Sequence, residues 1–290
     1  SAEGYSVPIV LRIAGSMILG IHSGNFAKAT VKQFAEYLRK IEVIASPAGY
    51  LQEKLVELGA RSVRVIPNPV DLDKFAPRRK NRALLESLQI DPSEIVLAHM
   101  SNFKSMKRVP DIVYSARQVL ERCPNVTYLI LGDGETCPDT KQICKKLGID
   151  RRFRFANWVD YSRIPEYFNL ADIVVMPSEY ECQSRVYLET QASGRVIVAS
   201  NIAGAREVIE DGQSGVLFSS NCCQELSDKI VSIVNNPVLQ SKLGRKARQS
   251  VRRHDAKLIS SAYISMFREA LAARDSGSGH TVHPNVFNRL

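Results

Sequence analysis

Runs of aliphatic and β-branched residues recur along this chain, each closed by a polar or glycine-bearing loop and followed by a segment with helical spacing. In the first quarter the apolar runs fall at 8–13, 41–45 and 62–66. Between them, 27–40 and 49–58 place apolar residues at helical intervals, and Gly59 ends the second. The alternation resumes at 95–100, 126–131, 152–156 and 171–176, then in a run from Gly194 to Ser200 and another closing on Phe218. Helical segments are expected at 109–121, 162–169 and 185–193, and further on at about 223–235, 238–252 and 256–272. Continuous apolar runs mark strands covered on both faces, so the pattern predicts parallel sheets flanked by helices, an α/β chain of doubly wound halves. In the last helix, Ile259, Tyr263, Met266, Phe267 and Leu271 form the apolar stripe.

Composition supports ordinary globular packing: 290 residues with 44% hydrophobic and 24% charged content suffice for two cores. No apolar run approaches ~20 residues and no export leader opens the chain, which predicts a cytoplasmic protein with nothing spanning a membrane. Six cysteines without zinc-type spacing, two of them the adjacent Cys222 and Cys223, predict reduced thiols. The net charge of +9 admits nucleic acid, acidic lipid or an anionic small substrate as partner. Basic clusters at 77–80, 104–108, 151–154 and 242–253 lack the aromatic spacing of a nucleic-acid platform, so nucleic acid is set aside. Outside 104–108 they read as solvated faces, although helix 238–253 could also make peripheral contact with an acidic membrane.

The chemistry concentrates where apolar runs stop. The run 171–176 ends at Pro177-Ser178, and ligands of open α/β sheets bind at such carboxyl ends of strands. The loop that follows carries Glu181 and, with seven residues between them, Glu189 lies in the next helix. Amides of the first helical turn, around Ser184, Arg185 and Val186, lack intrahelical partners and suit an anion. Two carboxylates can each accept hydrogen bonds from vicinal hydroxyls, although the spacing alone equally fits a pair of solvated surface residues. A second strand end, 101–108, sets Lys104 and Lys107 before a helix, a cradle for a diphosphate with cations where a metal could stand. Asp71-Leu-Asp73 has the spacing of a DxD metal motif but follows no buried strand. It carries little weight as a metal site, and no metal is expected.

Pro177-Ser178, Glu181, Glu189, Ala192, Gly194, Val198, Ala199-Ser200, Gly204, Glu207-Val208-Ile209, Asp211-Gly212 and Gly215 together resemble the donor-site signature of glycosyltransferase family 4. These are retaining enzymes of the GT-B fold. His99, Ser101-Asn102-Phe103 and Lys107-Arg108-Val109 particularly resemble its N-acetylglucosaminyl-malate synthase branch. The resemblance implies two Rossmann-like doubly wound domains, the N-terminal one incomplete. It divides the chain into a partial acceptor-side domain (1–75), a basic linker with a short helix (76–93), a nucleotide-sugar-binding domain (94–255), a crossover helix (256–272) and a flexible tail (273–290).

By the same resemblance Glu181 binds hydroxyls of the transferred sugar and Glu189 the ribose, while Lys107 holds the diphosphate and Ser178 lines the donor site. Asn102 occupies the position of the family's usual arginine, which leaves Lys104 as its substitute. Trp158 and Val159 fall where the family contacts the base, although core packing is an equal reading of Trp158. Near Gly15, Ala14 stands where the family has a histidine, so that contact to the sugar is either missing or made by another group such as Arg12 or His22, the latter more often simply exposed in a polar loop. Cys182-Gln183-Ser184-Arg185 replaces the usual Gly-Phe-Gly-Leu, and Arg185 adds a charge there. The implied co-substrate is a UDP- or GDP-linked sugar with no other cofactor, and the acceptor is an unidentified small molecule, glycan or lipid-linked group. A non-catalytic nucleotide-sugar-binding remnant is the alternative, since the opening strands and the histidine of the family are missing. A nucleic-acid scaffold would rest on charge alone.

Overall fold

The computed structural model describes residues 9–13, 20–21 and 27–275. The chain divides into two compact units, Ser1–Pro69 with Arg253–Leu290, and Val70–Arg252.

The smaller unit carries a parallel sheet of β1 (Val10–Arg12), β2 (Val43–Ser46) and β3 (Val63–Val65) in the order β1-β2-β3. Helices α1 (Lys28–Leu38) and α2 (Gly49–Glu57) make the connections, and α2 stops where Gly59 takes φ +100°. The terminal helix, labelled α11 (Ala256–Asp275), packs Ile259, Met266 and Ala270 against Val43, Ala45 and Ile66. The expected stripe is therefore split. Positions 259, 263, 266 and 270 share one face, whereas Phe267 and Leu271 lie about 100° further round each turn and stay about half exposed.

The larger unit is built on a six-stranded parallel sheet of order β6-β5-β4-β7-β8-β9. Its strands are β4 (Ile95–Met100), β5 (Val126–Leu131), β6 (Phe153–Asn157), β7 (Ile173–Met176), β8 (Val196–Ser200) and β9 (Val216–Phe218). Side chains alternate between two cores: Val96, Ala98 and Met100 enter one, Leu97 the other. The connecting helices are α4 (Val109–Arg122), α5 (Cys137–Lys146), α6 (Ile164–Leu170), α7 (Arg185–Ala192), α8 (Ala203–Arg206), α9 (Cys223–Val234) and α10 (Pro237–Ser250). From β4 the chain winds outward through β5 and β6, then returns to β7 and winds the other way. The carboxyl ends of β4 and β7 thus form the switch point where the loops diverge and leave a crevice.

Two features differ from expectation. Residues 76–93 are packed into the larger unit, because α3 (Arg82–Ser87), capped by Asn81, buries Leu84 and Leu85 together with Ile90. Helix α5 has no counterpart in the sequence reading: its inward face is Cys137, Thr140 and Cys144, small residues that give no apolar periodicity.

Candidate active site

The loop after β4 is shaped from beneath by His99. Its Nδ1 lies 2.8 Å from the Val175 carbonyl on β7 and its Nε2 2.8 Å from Ser101 Oγ. Nδ1 therefore carries the proton and donates, while Nε2 accepts from the hydroxyl. Complete burial pushes the imidazole down to about 4, so it is neutral at physiological pH. The turn after β5 closes on this loop. A Cβ on Gly132 would sit 1.8 Å from the Ser101 carbonyl oxygen, and one on Gly134 2.2 Å from that of Asn102. Only glycines permit that approach. A single 3-10 turn, Ser105–Lys107, then leads into α4.

The loop after β7 is tied to this turn by the Glu179 amide, which donates to the Met106 carbonyl at 2.8 Å. Across the junction, Lys107 Nζ meets Glu181 Oε1 at 2.6 Å, and Ser178 Oγ donates to the same oxygen at 2.9 Å. Both charged side chains are largely covered, at 17% and 11% exposed, so their attraction is screened less than that of a surface pair. Behind them a Cβ on Gly204 would lie 1.9 Å from the Glu181 carbonyl oxygen, which makes that glycine a requirement of the loop. Helix α7 starts beside the pair. Its cap residue, Ser184, is extended and makes no side-chain cap hydrogen bond, and the positive end of the helix dipole at this start suits an anion.

Glu189, about one turn into α7, is buried at 6% exposure and accepts a 2.9 Å hydrogen bond from the Tyr161 hydroxyl. Arg185 donates to the same hydroxyl at 2.8 Å and lies 3.9 Å from the Glu189 carboxylate. The Tyr161 ring is also a cation platform, with Lys74 Nζ 3.9 Å and the Arg185 guanidinium 5.2 Å from its centroid. Burial raises the Glu189 carboxyl above its ordinary value, opposed by the Tyr161 hydrogen bond and by the charges of Arg185 and Lys74. Burial, joined by Glu189, holds the Tyr161 hydroxyl at about 12, so it remains a donor.

Of the residues expected at the site, Ser178, Glu181 and Lys107 meet in one cluster, and Ser184, Arg185, Val186 and Glu189 follow along α7. Asn102 and Lys104 are exposed on the β4 loop. Trp158 is 75% exposed after β6, which rules out its reading as a core residue, while Val159 packs partly against the core. Arg12 belongs to the smaller unit, where it donates to Tyr263 Oη at 3.1 Å and to Asn68 Oδ1 at 2.5 Å. Gly15, Ala14 and His22 lie outside the described residues. Asp71 Oδ1 accepts the amides of Asp73 and Lys74 at 3.0 and 2.8 Å and thereby closes a turn. Among the described residues no group of three His, Cys, Asp or Glu could hold a metal ion, and no helix is long and apolar enough to cross a membrane. Tyr161 and Lys74 escaped the sequence reading. They sit 28 and 115 positions from Glu189, and only folding brings them to it.

A cation, a helix start and two covered carboxylates around a switch-point crevice can hold an anionic group between two sets of hydroxyls. Comparison with known proteins is consistent with that chemistry. The family described as "Glycosyl transferases group 1" matches residues 80–250. The chain is 27% identical over 220 residues to N-acetyl-alpha-D-glucosaminyl L-malate synthase of Bacillus anthracis, covering 76% of this chain and 56% of that protein. It is 26% identical over 230 residues to D-inositol 3-phosphate glycosyltransferase of Saccharomonospora viridis, covering 76% and 53%. The chain thus spans just over half the length of these curated relatives. Among solved structures, Anabaena HepE in complex with UDP and glucose superposes with a TM-score of 0.81 at 20% identity, over 90% of this chain and 71% of that one. This likeness shows the fold, that of GT-B glycosyltransferases.

Proposed function

This chain belongs to the glycosyl transferases group 1 family, and from that membership and the site geometry we propose that it is a retaining glycosyltransferase acting on a nucleoside-diphosphate sugar. The donor lies across the carboxyl ends of β4 and β7, its diphosphate over the start of α7 and beside Lys107 and Lys104. Glu181 accepts from hydroxyls of a hexose-type sugar, and Glu189 accepts from the ribose. UDP is favoured over GDP as the carrier because the solved neighbour holds UDP with glucose. Lys107, Lys104 and the α7 amides neutralise the departing diphosphate, so metal is not required for that step. The acceptor attacks on the face the diphosphate leaves, and a diphosphate oxygen takes the acceptor proton. No enzyme carboxylate forms a bond to the sugar.

The observation that carries this reading is the Lys107–Glu181–Ser178 cluster set against the uncapped start of α7. In this reading Lys107, the phosphate cation, stands within one hydrogen bond of Glu181, the hydroxyl acceptor. Calorimetry with UDP and UDP-glucose, followed by assay of donor hydrolysis, tests it. Glu189→Ala should lose affinity for both ligands, since ribose is common to them, whereas Glu181→Ala should spare UDP and abolish turnover. Loss of plain UDP binding in Glu181→Ala would reverse the assignment. A covalent glycosyl-enzyme seen by mass spectrometry would replace the proposed mechanism with an enzyme nucleophile. Tight binding without hydrolysis or transfer to any acceptor would make the chain a nucleotide-sugar-binding module.

A further inference from the structure

The larger unit has a second cleft, at the end of the sheet away from the proposed donor site. It occupies about 570 Å³ and opens between the amino ends of β7 and β8, marked by Asp172 and Arg195, and helix α10 with the 3-10 turn that follows it. That volume suits a small organic ligand. Four guanidinium groups line it, from Arg195, Arg245, Arg248 and Arg252, against one carboxylate, Asp172. That carboxylate is shared, because Lys80 Nζ pairs with it at 2.5 Å while its charge also acts on Arg195.

Two of the arginines are fixed in place by neutral acceptors. Arg248 donates to the carbonyls of Ala192, Leu72 and Phe75, and Arg195 to the Arg78 carbonyl and Asn169 Oδ1. Such bonds set the orientation of both guanidiniums, and Asp172 is the acid whose charge acts on Arg195. The buried Nε–H of Arg195 also has no hydrogen-bond partner among the described residues. The other two lie on the rim, seven positions apart and so on one side of the helical run. Arg245 contacts Ser241 Oγ at 2.8 Å, and Arg252 makes no ion pair among the described residues. Like charges gathered in a concave, partly desolvated site repel one another unless an anion joins them. Guanidinium forks match phosphate oxygens two at a time.

We propose that this cleft is a binding site for a phosphorylated small molecule, with Arg245 and Arg252 gripping the phosphate in front of Arg195 and Arg248. The concavity favours a free phosphate compound over the headgroups of a flat lipid surface. The four-residue strand β7 separates this cleft from the crevice at Ser178 and Glu181, roughly 13 Å at ~3.3 Å per residue, so both sites can be filled at once. The inference does not depend on the donor-site reading.

Inorganic pyrophosphate titrated calorimetrically into the full chain tests it, with Lys107→Ala as background so that the opposite site contributes least. The loss between wild type and Lys107→Ala reports on the donor site separately. In the Lys107→Ala background, binding should persist and should weaken at least tenfold when Arg245→Gln and Arg252→Gln are added. If the double change lowers the melting temperature, Arg252→Gln alone should still weaken binding at least threefold. Vesicles of phosphatidylserine and phosphatidylcholine serve as the lipid arm and should bind no more weakly to the Arg→Gln chain than to its parent. Absence of pyrophosphate binding in the Lys107→Ala chain, or binding indifferent to both arginines, overturns the proposal. Arginine-dependent vesicle binding without arginine-dependent pyrophosphate binding overturns it too, and assigns the patch to a membrane.

Discussion

Protonation of His99 should destabilise the larger unit from the floor of its proposed donor site. The imidazole is fully buried between β4 and β7, with its value moved from 6.5 down to about 4. In the unfolded chain it returns to 6.5, so between those values the unfolded state binds the extra proton and stability falls as pH is lowered. Above 6.5 neither state is protonated and the group has no pH-linked effect. From about pH 7 to about pH 5 the linkage removes about 2 kcal/mol, rising to about 3 kcal/mol below the folded value. For a unit of this size about 2 kcal/mol corresponds to a fall of roughly 4–8 °C in melting temperature. Protonation would also turn Nε2 from an acceptor of the Ser101 hydroxyl into a donor, disrupting the support of the Asn102–Lys107 loop. Glu189 works in the opposite sense. Its raised carboxyl is stabilised by protonation in the folded state, so its contribution grows as pH falls. His254, lowered to about 4 by burial, imposes the same window as His99 on the smaller unit. The assay is urea denaturation of the full chain followed by circular dichroism at several pH values, comparing wild type with His99→Gln and His254→Gln. Each variant should flatten one part of the acid-side loss. If the His99→Gln curve runs parallel to wild type from pH 7 to pH 5, His99 is not held neutral by burial and the reasoning fails.

Lys107→Ala should weaken nucleoside diphosphate binding by roughly 1.5–3 kcal/mol, the range for hydrogen bonds to charged groups, while nucleoside binding changes little. Equal losses for the two ligands in calorimetry would remove Lys107 from the phosphates. Gly204→Ala places a methyl 1.9 Å from the Glu181 carbonyl oxygen, against backbone that cannot swing aside. It should cost about 1–3 kcal/mol of stability and reduce turnover, and an unchanged melting curve would show that the loop tolerates the shift. Arg185 is 64% exposed as a side chain, so Arg185→Leu should change stability by less than ~1 kcal/mol. It removes a charge that lowers the Glu189 carboxyl, so the acid limb of nucleotide binding should move to higher pH. A binding profile identical to wild type would show that Arg185 does not act on Glu189.

Much of this protein is legible from local pattern, for a definite reason. Strands buried on both faces must be continuous apolar runs, so the β-branched stretches that became β4, β5, β7 and β8 stand out against any loop. The places of Glu181 and Glu189 are read the same way, because a strand end, a loop and a helix start are all local, whereas their expected roles rest on the family resemblance. Helix α5 is not legible, because Cys137, Thr140 and Cys144 make its inward face without an apolar rhythm. Residues 76–93 look like a linker by charge, yet Leu84, Leu85 and Ile90 had a core to enter. Trp158, ambiguous between core and surface by residue type, is settled by the fold at the end of β6, exposed to solvent.

The pairings that give the site its electrostatics belong to the tertiary structure alone. Lys107 and Glu181 are 74 residues apart, and Tyr161 reaches Glu189 across 28. No periodicity links such positions, because what joins them is the order β6-β5-β4-β7-β8-β9, which sets the β4 and β7 loops side by side. The arginine cleft follows the same logic at the other end of that sheet: Arg195 and Arg252 are unremarkable basic residues in sequence, and only the packing of α10 against the starts of β7 and β8 gathers their charges. Local pattern determined which segments would be strands and that two carboxylates would fall at one strand end and helix start. Sheet order, a property of long-range packing, decided which charges would face each other and how deeply each would be buried.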